Sequence, residues 1–416
     1  MTFLTNNKSS FFLLFAMVLG AAVGLIWGEG SVALQPIADL FLHLLYCVVV
    51  PMIFISLVSS IANMESLQKL GKMIGIMLLI FVASQIFASL YMAVICGVTN
   101  PGAGAIIDMS QEVEDVSGSM NVLGMFTVSD FSELWSRRNL MALIVFSVMV
   151  GVGLLSLGEK AKSLVKAFDE GTQLIMKVVG YVMKIAPFGL AALFATLFGQ
   201  YGSQITGPLV KALIVYMVAA VAYYFLSNTL FAWIGGGAEG IRRYYKYCLP
   251  PTLTALGTCS SAATIPVTLT AATKAGLSDD VRDLTIPLGA NLHKDGACLI
   301  TILKIAFLCN IFGINFFEPS TFIMAIICST LASMVMGAIP AGGYVGELFI
   351  ISLFGFPPVT IPVMVLIGTI TDAPATAINA TGDFSAAMIV ERFIYGKNWI
   401  NRERTESSAV AVAEDN

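Results

Sequence analysis

Apolar residues in this chain come in long runs. The first covers Phe11 to Trp27, and others follow at about 38–61, 74–98, 139–157, 171–198 and 206–234. Each can span the roughly 30 Å hydrocarbon layer of a bilayer as a helix, with tilt absorbing the differences in length. The first run follows Lys8 and has no clear small-residue cleavage site, so it reads as a retained helix rather than a signal peptide.

Basic residues in the short connections orient these runs. Lys8 precedes the first, and Lys69 and Lys72 follow the second. Lys160, Lys162 and Lys166 follow the fourth, and Arg242, Arg243 and Lys246 the sixth. The alternate connections 28–37 and 199–205 have no basic residue, and 99–138 is acidic until Arg137 and Arg138. The pattern predicts six crossings that start and end on the cytoplasmic side.

Simple alternation fails in the second half. Residues 249–273 form a segment long enough to cross, but Arg242, Arg243 and Lys246 precede it and Lys274 and Arg282 follow. With both ends on one side, the segment must enter and return, with its tip at Thr258–Pro266. Irregular backbone at membrane depth is tolerated only where protein or a cavity surrounds it. Run 284–311 then crosses outward, and run 359–391 returns, marked by Arg392, Lys397, Arg402 and Arg404. Segment 319–352 therefore begins and ends outside, with the helix-breaking cluster Gly337–Gly343 at its middle.

Both later crossings carry polar interruptions, at 291–296 and 372–383. A hairpin followed by a broken helix thus occurs twice, from opposite sides, as in an inverted-topology repeat with its binding site near the midplane. The predicted fold is all-α and membrane-integral, with eight transmembrane helices and two re-entrant helical hairpins. Both termini are expected in the cytoplasm and the chain in the cell (inner or plasma) membrane.

Composition agrees with this picture. Of 416 residues only 12% are charged, against about 25% in soluble domains, and the mean hydropathy is +0.86. No basic stripe with interleaved aromatics suggests nucleic acid. The seven cysteines show no CxxC spacing and read as small apolar side chains.

Several segments, taken together and in order, resemble the dicarboxylate/amino acid:cation symporters, the family of the glutamate transporters. They are Asn100–Gly104, Ala186–Leu190, Ser260–Pro266, Ile286–Ala290, Lys294–Gly296 and Asn379–Asp383. The similarity covers roughly residues 10–396. It implies an elevator mechanism, in which a transport domain slides against a scaffold that joins three subunits in a lipid bilayer. The implied parts are scaffold helices 1–2 (1–72), transport-domain helix 3 (73–98), and scaffold helices 4–5 with transport-domain helix 6 (99–235). The first hairpin (236–283), broken helix 7 (284–318), the second hairpin (319–358), broken helix 8 (359–396) and a cytoplasmic tail (397–416) complete it.

A bare carboxylate within an apolar run, such as Asp372, is costly unless paired or hydrated. Thr376 and Asn379 follow at i+4 and i+7, on the same helical face. The resemblance implies that Asp372 holds a substrate amino group, while Asn379 and the Ser260–Ser261 tip hold its carboxylate as helix N-termini hold anions. Ala341 at the second tip and Ala375 would complete the substrate set. Ser260, Ser261 and Thr376 can equally serve only their own helices. Asn291, His293, Lys294, Asp295, Asn379 and Asp383 form the candidate cation-coupling set, with Asp295 and Asp383 as sodium ligands if sodium is retained.

Three departures from the family pattern point one way. Ala375 stands for the arginine that meets a second substrate carboxylate, Gly368 for the aspartate supporting it, and Ala297 for a nearby threonine. An arginine–carboxylate pair is directional and hard to replace. A neutral amino acid is therefore the expected substrate. The runner-up is a dicarboxylate or acidic amino acid whose extra charge meets Lys294.

The family's Asn-Met-Asp-Gly reads His293-Lys294-Asp295-Gly296 here, and Phe81, Ser84, Gln85 and Met336 stand at sodium-binding positions. Lys294 is expected to act as a tethered cation paired with Asp295 or Asp383. Coupling would then pass from sodium to protons, or give way to exchange. Lys304 is expected to snorkel or pair with a polar neighbour, and Glu347 to contact a neighbouring helix. A channel would need a symmetric filter, which is not visible. An enzyme would need a catalytic set, for which Ser260 or Ser261 with Lys294 is the only candidate.

Overall fold

The computed structural model describes residues 8–63, 67–103, 127–136, 139–337, 342–357 and 360–401. Among them every regular element is helical. The twelve α-helices are α1 (Lys8–Trp27), α2 (Gln35–Ala62), α3 (Leu67–Thr99), α4 (Leu140–Leu157), α5 (Lys162–Tyr247) and α6 (Leu249–Thr258). They continue with α7 (Ser261–Ala275), α8 (Asp279–Leu292), α9 (Asp295–Ile311), α10 (Pro319–Gly337), α11 (Gly342–Phe354) and α12 (Ile361–Tyr395). Most of the loop 99–138, the tip residues 338–341 and the tail beyond residue 401 lie outside the described residues. Among the described residues, six helical stretches are long and apolar enough to cross a membrane.

Helices α9 and α12 pack together at the centre, with α3 against both. Almost every residue of α9 is buried, as expected of a helix apolar on all sides. Around the outside, α1 and α2 each pack on α5, and the three expose large apolar side chains such as Phe15, Ile26 and Phe188. The α1–α5 crossing is close: a Cβ at Gly20 would strike the backbone carbonyl of Ala191, and one at Gly24 that of Ala195. Small residues four apart permit this approach where apolar burial gives helices little reason to associate.

Two pairs of short helices lie back to back. Helix α6, at 10 residues, spans about 15 Å and packs against α7. The chain reverses at Cys259, whose left-handed φ of 49° is rare outside glycine, and Ser260 caps α7. The reversal thus falls at the start of the expected tip, and Pro266 lies within α7. Arg243, near the end of α5, donates to the carbonyl of Ala275 at 2.9 Å. That contact brings the start of α6 and the end of α7 to one place. Helices α10 and α11 form the second pair.

Two expectations need correcting. The interruption in run 359–391 does not break the helix: α12 continues from Ile361 to Tyr395. Pro374 removes only one backbone bond, and Thr371 and Thr381 turn their hydroxyls onto carbonyls of their own helix (2.6 and 2.7 Å). The connection 199–205 also stays helical within α5, which leaves helical dihedrals only at Gly236 and Gly237. No proline stops the helix there, and Gly199 instead admits the backbone of Gly28. The break expected at 291–296 is present at His293 and Lys294, between α8 and α9.

Candidate functional site

At this break both residues leave helical dihedrals, so each side chain emerges between two helix ends. The freed backbone is held from outside. Gln85 Nε2 donates to the carbonyl of Leu292 (2.5 Å), and Asn379 Oδ1 accepts from the N–H of Gly296 (2.8 Å). These contacts satisfy groups that a helix terminus leaves without partners. Asp295 sits in the first turn of α9, where a carboxylate complements the helix dipole.

His293 is fully buried and lies between two carboxylates. Its Nδ1 is 2.9 Å from Asp383 Oδ1, and Nε2 is 2.6 Å from Ser84 Oγ and 3.3 Å from Asp295 Oδ1. Ser84 Oγ also reaches Asp295 Oδ1 (3.1 Å), and Tyr223 donates to Asp295 Oδ2 (2.8 Å). The Phe81 ring stacks on the imidazole, with centroids 4.7 Å apart and planes 10° apart.

Lys294 turns the other way. Its ammonium donates to Ser261 Oγ (2.8 Å), and no ion pair within 4.0 Å joins it to Asp295 or Asp383 among the described residues. The pairing expected of Lys294 is made by His293, one residue earlier, because the extended backbone at 293–294 sends consecutive side chains to opposite sides. Lys294 therefore faces the N-terminus of α7. Ser260 serves its own helix there, accepting from the N–H of Ala263 (3.2 Å).

Among the remaining candidates, Asp372 is exposed at mid-helix, with Thr376 Oγ1 3.4 Å from its Oδ1. Along α12 the accessible residues are Leu366, Gly368–Ile370 and Asp372–Pro374, and at its end Arg392–Tyr395, while Ala375–Glu391 are buried. Asp372 thus opens onto a space beside an otherwise packed helix, within electrostatic reach of Lys294 and Lys304. Ala375 is buried where its backbone meets Gly296. Asn291 is not brought to the cluster; it is exposed and donates to Pro287 of its own helix (3.2 Å). Ala341 lies outside the described residues, and the side chain of Met336 likewise.

Residues 10–393 match the sodium:dicarboxylate symporter family. The chain belongs to that family. A proton/sodium-glutamate symport protein of Bacillus caldotenax is 29% identical over 91% of this chain and 92% of its own length. A C4-dicarboxylate transport protein of Bacillus subtilis (strain 168) is 26% identical over 72% of this chain and 73% of its own. A proton/glutamate-aspartate symporter of the same organism is 25% identical over 96% and 99%. Membership makes the chain a multi-pass plasma-membrane protein and a secondary active symporter rather than an enzyme.

For a sodium:dicarboxylate symporter, the surroundings of Asp295 and Asp383 do not suit sodium. A hard cation needs several oxygen lone pairs facing inward. Here the carboxylates meet a ring N–H and two hydroxyls, and Phe81 closes one face.

Sequence reasoning missed Tyr223 as a partner of Asp295. Its signal was a tyrosine seven residues after Tyr216 in an apolar run, hence on the same helical face. Lys304 and Glu347, left open in the sequence, prove to be partners. Their buried Nζ and Oε1 lie 2.6 Å apart, joining α9 to α11.

Proposed function

We propose that the chain transports a neutral, zwitterionic amino acid, with its α-amino group on Asp372 and its α-carboxylate between Lys294 and the start of α7. The carrying observation is the Lys294–Ser261 contact. A helix N-terminus is the positive end of its dipole, and an ammonium held against it is unfavourable until an anion arrives between them. Ser260, Ser261 and Lys294 together suit a carboxylate, and Asn379 has its Nδ2 left to donate. Asp372 then balances the substrate's ammonium.

The glutamate and C4-dicarboxylate relatives favour a second reading, in which Lys294 meets one carboxylate of a doubly anionic substrate. Ala375, Gly368 and Ala297 weigh against it, since none replaces a charge for the second.

Coupling follows from His293. A doubly protonated imidazolium satisfies the contacts to Asp383, Ser84 and Asp295 at once, and serves as a tethered cation between the two acids. Sodium is then dispensable, and transport is driven by protons or runs as exchange. The back-to-back pairs α6–α7 and α10–α11 support two re-entrant hairpins within an eight-crossing, trimeric elevator.

The test is uptake of labelled neutral amino acids, alanine and glutamine, into proteoliposomes in sodium-free medium, with and without a proton gradient. Saturable uptake lost in Asp372→Asn is expected. Strict sodium dependence would overturn the coupling scheme; uptake of succinate or aspartate alone would overturn the substrate. Unsaturable current would indicate a channel.

A further inference from the structure

The Lys304–Glu347 pair is buried to 5% and 3% exposure, yet its hydrogen-bonding capacity is mostly unused. An ammonium has three donors and a carboxylate two acceptor oxygens. Among the described residues they make one bond, from Nζ to Oε1. Buried polar groups are costly without partners, so two N–H groups and Oε2 call for something else to meet them.

Gly368 makes room for the pair. A Cβ at this position would lie 2.9 Å from Lys304 Nζ and 3.0 Å from Glu347 Oε1. Gly368 is itself partly accessible, in the same open stretch of α12 as Asp372. The two positions are four residues apart on one face, about 6 Å along the axis. That matches the reach from the α-nitrogen of an amino acid to the end of a medium-length side chain. The carboxylate end of the site, at Asn379 and Ser261, lies in the opposite direction from Asp372.

We propose that Lys304 and Glu347 form the side-chain subsite of the transporter and select a terminal carboxamide, as in glutamine or asparagine. The assignment rests on the amino-acid reading above. A carboxamide accepts through its oxygen from Lys304 and donates through its nitrogen to Glu347 Oε2. A second carboxylate is repelled by Glu347, and an apolar side chain leaves both charges unsatisfied. Sites built around such bonds reject analogues lacking them far more strongly than apolar pockets discriminate by size.

Thermal-shift titration of the purified full-length protein with glutamine, asparagine, leucine, glutamate and succinate tests this. In the wild type, glutamine or asparagine should bind at least about 100-fold more tightly than leucine, as two hydrogen bonds to charged groups imply. The double variant Lys304→Met/Glu347→Leu should reverse that order, since apolar replacement of a whole buried pair is generally tolerated. If it does not fold, Gly368→Ala keeps both charges but crowds them, and should cost the carboxamides about tenfold relative to leucine. An unchanged ranking in the variant that folds, or equal wild-type affinity for leucine and glutamine, overturns the subsite alone. Wild-type binding of succinate with no amino acid bound overturns the amino-acid reading and the subsite with it.

Discussion

One imidazole, that of His293, lies 2.9 Å from Asp383 on one edge and 3.3 Å from Asp295 on the other. Replacing it by asparagine removes the proposed imidazolium and leaves two buried carboxylates facing each other. Losing one partner of such a cluster costs roughly 3–5 kcal/mol, so His293→Asn should melt well below the wild type in potassium buffer. Sodium should recover part of that loss in the variant and leave the wild type unmoved. Equal sodium stabilisation of both proteins would count against the tethered imidazolium.

Lys294→Met removes a charged donor from the start of α7. Substrate affinity should fall about 10- to 100-fold, the range for one charge-assisted hydrogen bond. Sodium independence should persist, because the residue between the acids is still His293. Isothermal titration in sodium and in choline buffers separates the two effects.

Breaking the Lys304–Glu347 pair on one side differs from removing it whole. Lys304→Met strands a buried carboxylate and should destabilise by roughly 3–5 kcal/mol, whereas Lys304→Met/Glu347→Leu should recover most of that. Chemical denaturation of the single and double variants in detergent measures the difference. Additive losses would argue that the two side chains act separately.

Gly296→Ala places a methyl group against the backbone of Ala375. Since backbone cannot yield as a flexible side chain does, α9 and α12 must part, at a cost of about 1–3 kcal/mol. The shift would also move Asp295 away from Tyr223 and Ser84. Uptake should fall by more than the stability loss explains, read as uptake per folded transporter.

The architecture was legible where chemistry is local. Arg242, Arg243 and Lys274 flanking one apolar segment foretold a chain reversal, which falls at Cys259 between α6 and α7, and His-Lys-Asp-Gly foretold the break before α9. Polarity misled at 372–383, because threonine hydroxyls can bond to their own helix and need not interrupt it. The division of labour at 293–294 was not legible either, since it depends on which way two adjacent side chains leave an extended backbone. Nor could the pairing of Lys304 with Glu347 be read, as it joins residues on separate helices in the space beside Gly368. Gly20 and Gly24 carried a packing signal that a search for hydrophobic runs passes over.

The continuity of α12 bears on how energy moves through the protein. Asp372 and Asp383 are carried on one unbroken rod, about 16 Å apart along its axis. No hinge separates Asp372 from the carboxylate of Asp383 that meets His293. Any stroke that carries one carries the other by the same distance. Communication between them must therefore travel through the helices packed on the rod, and not through a change in the rod itself.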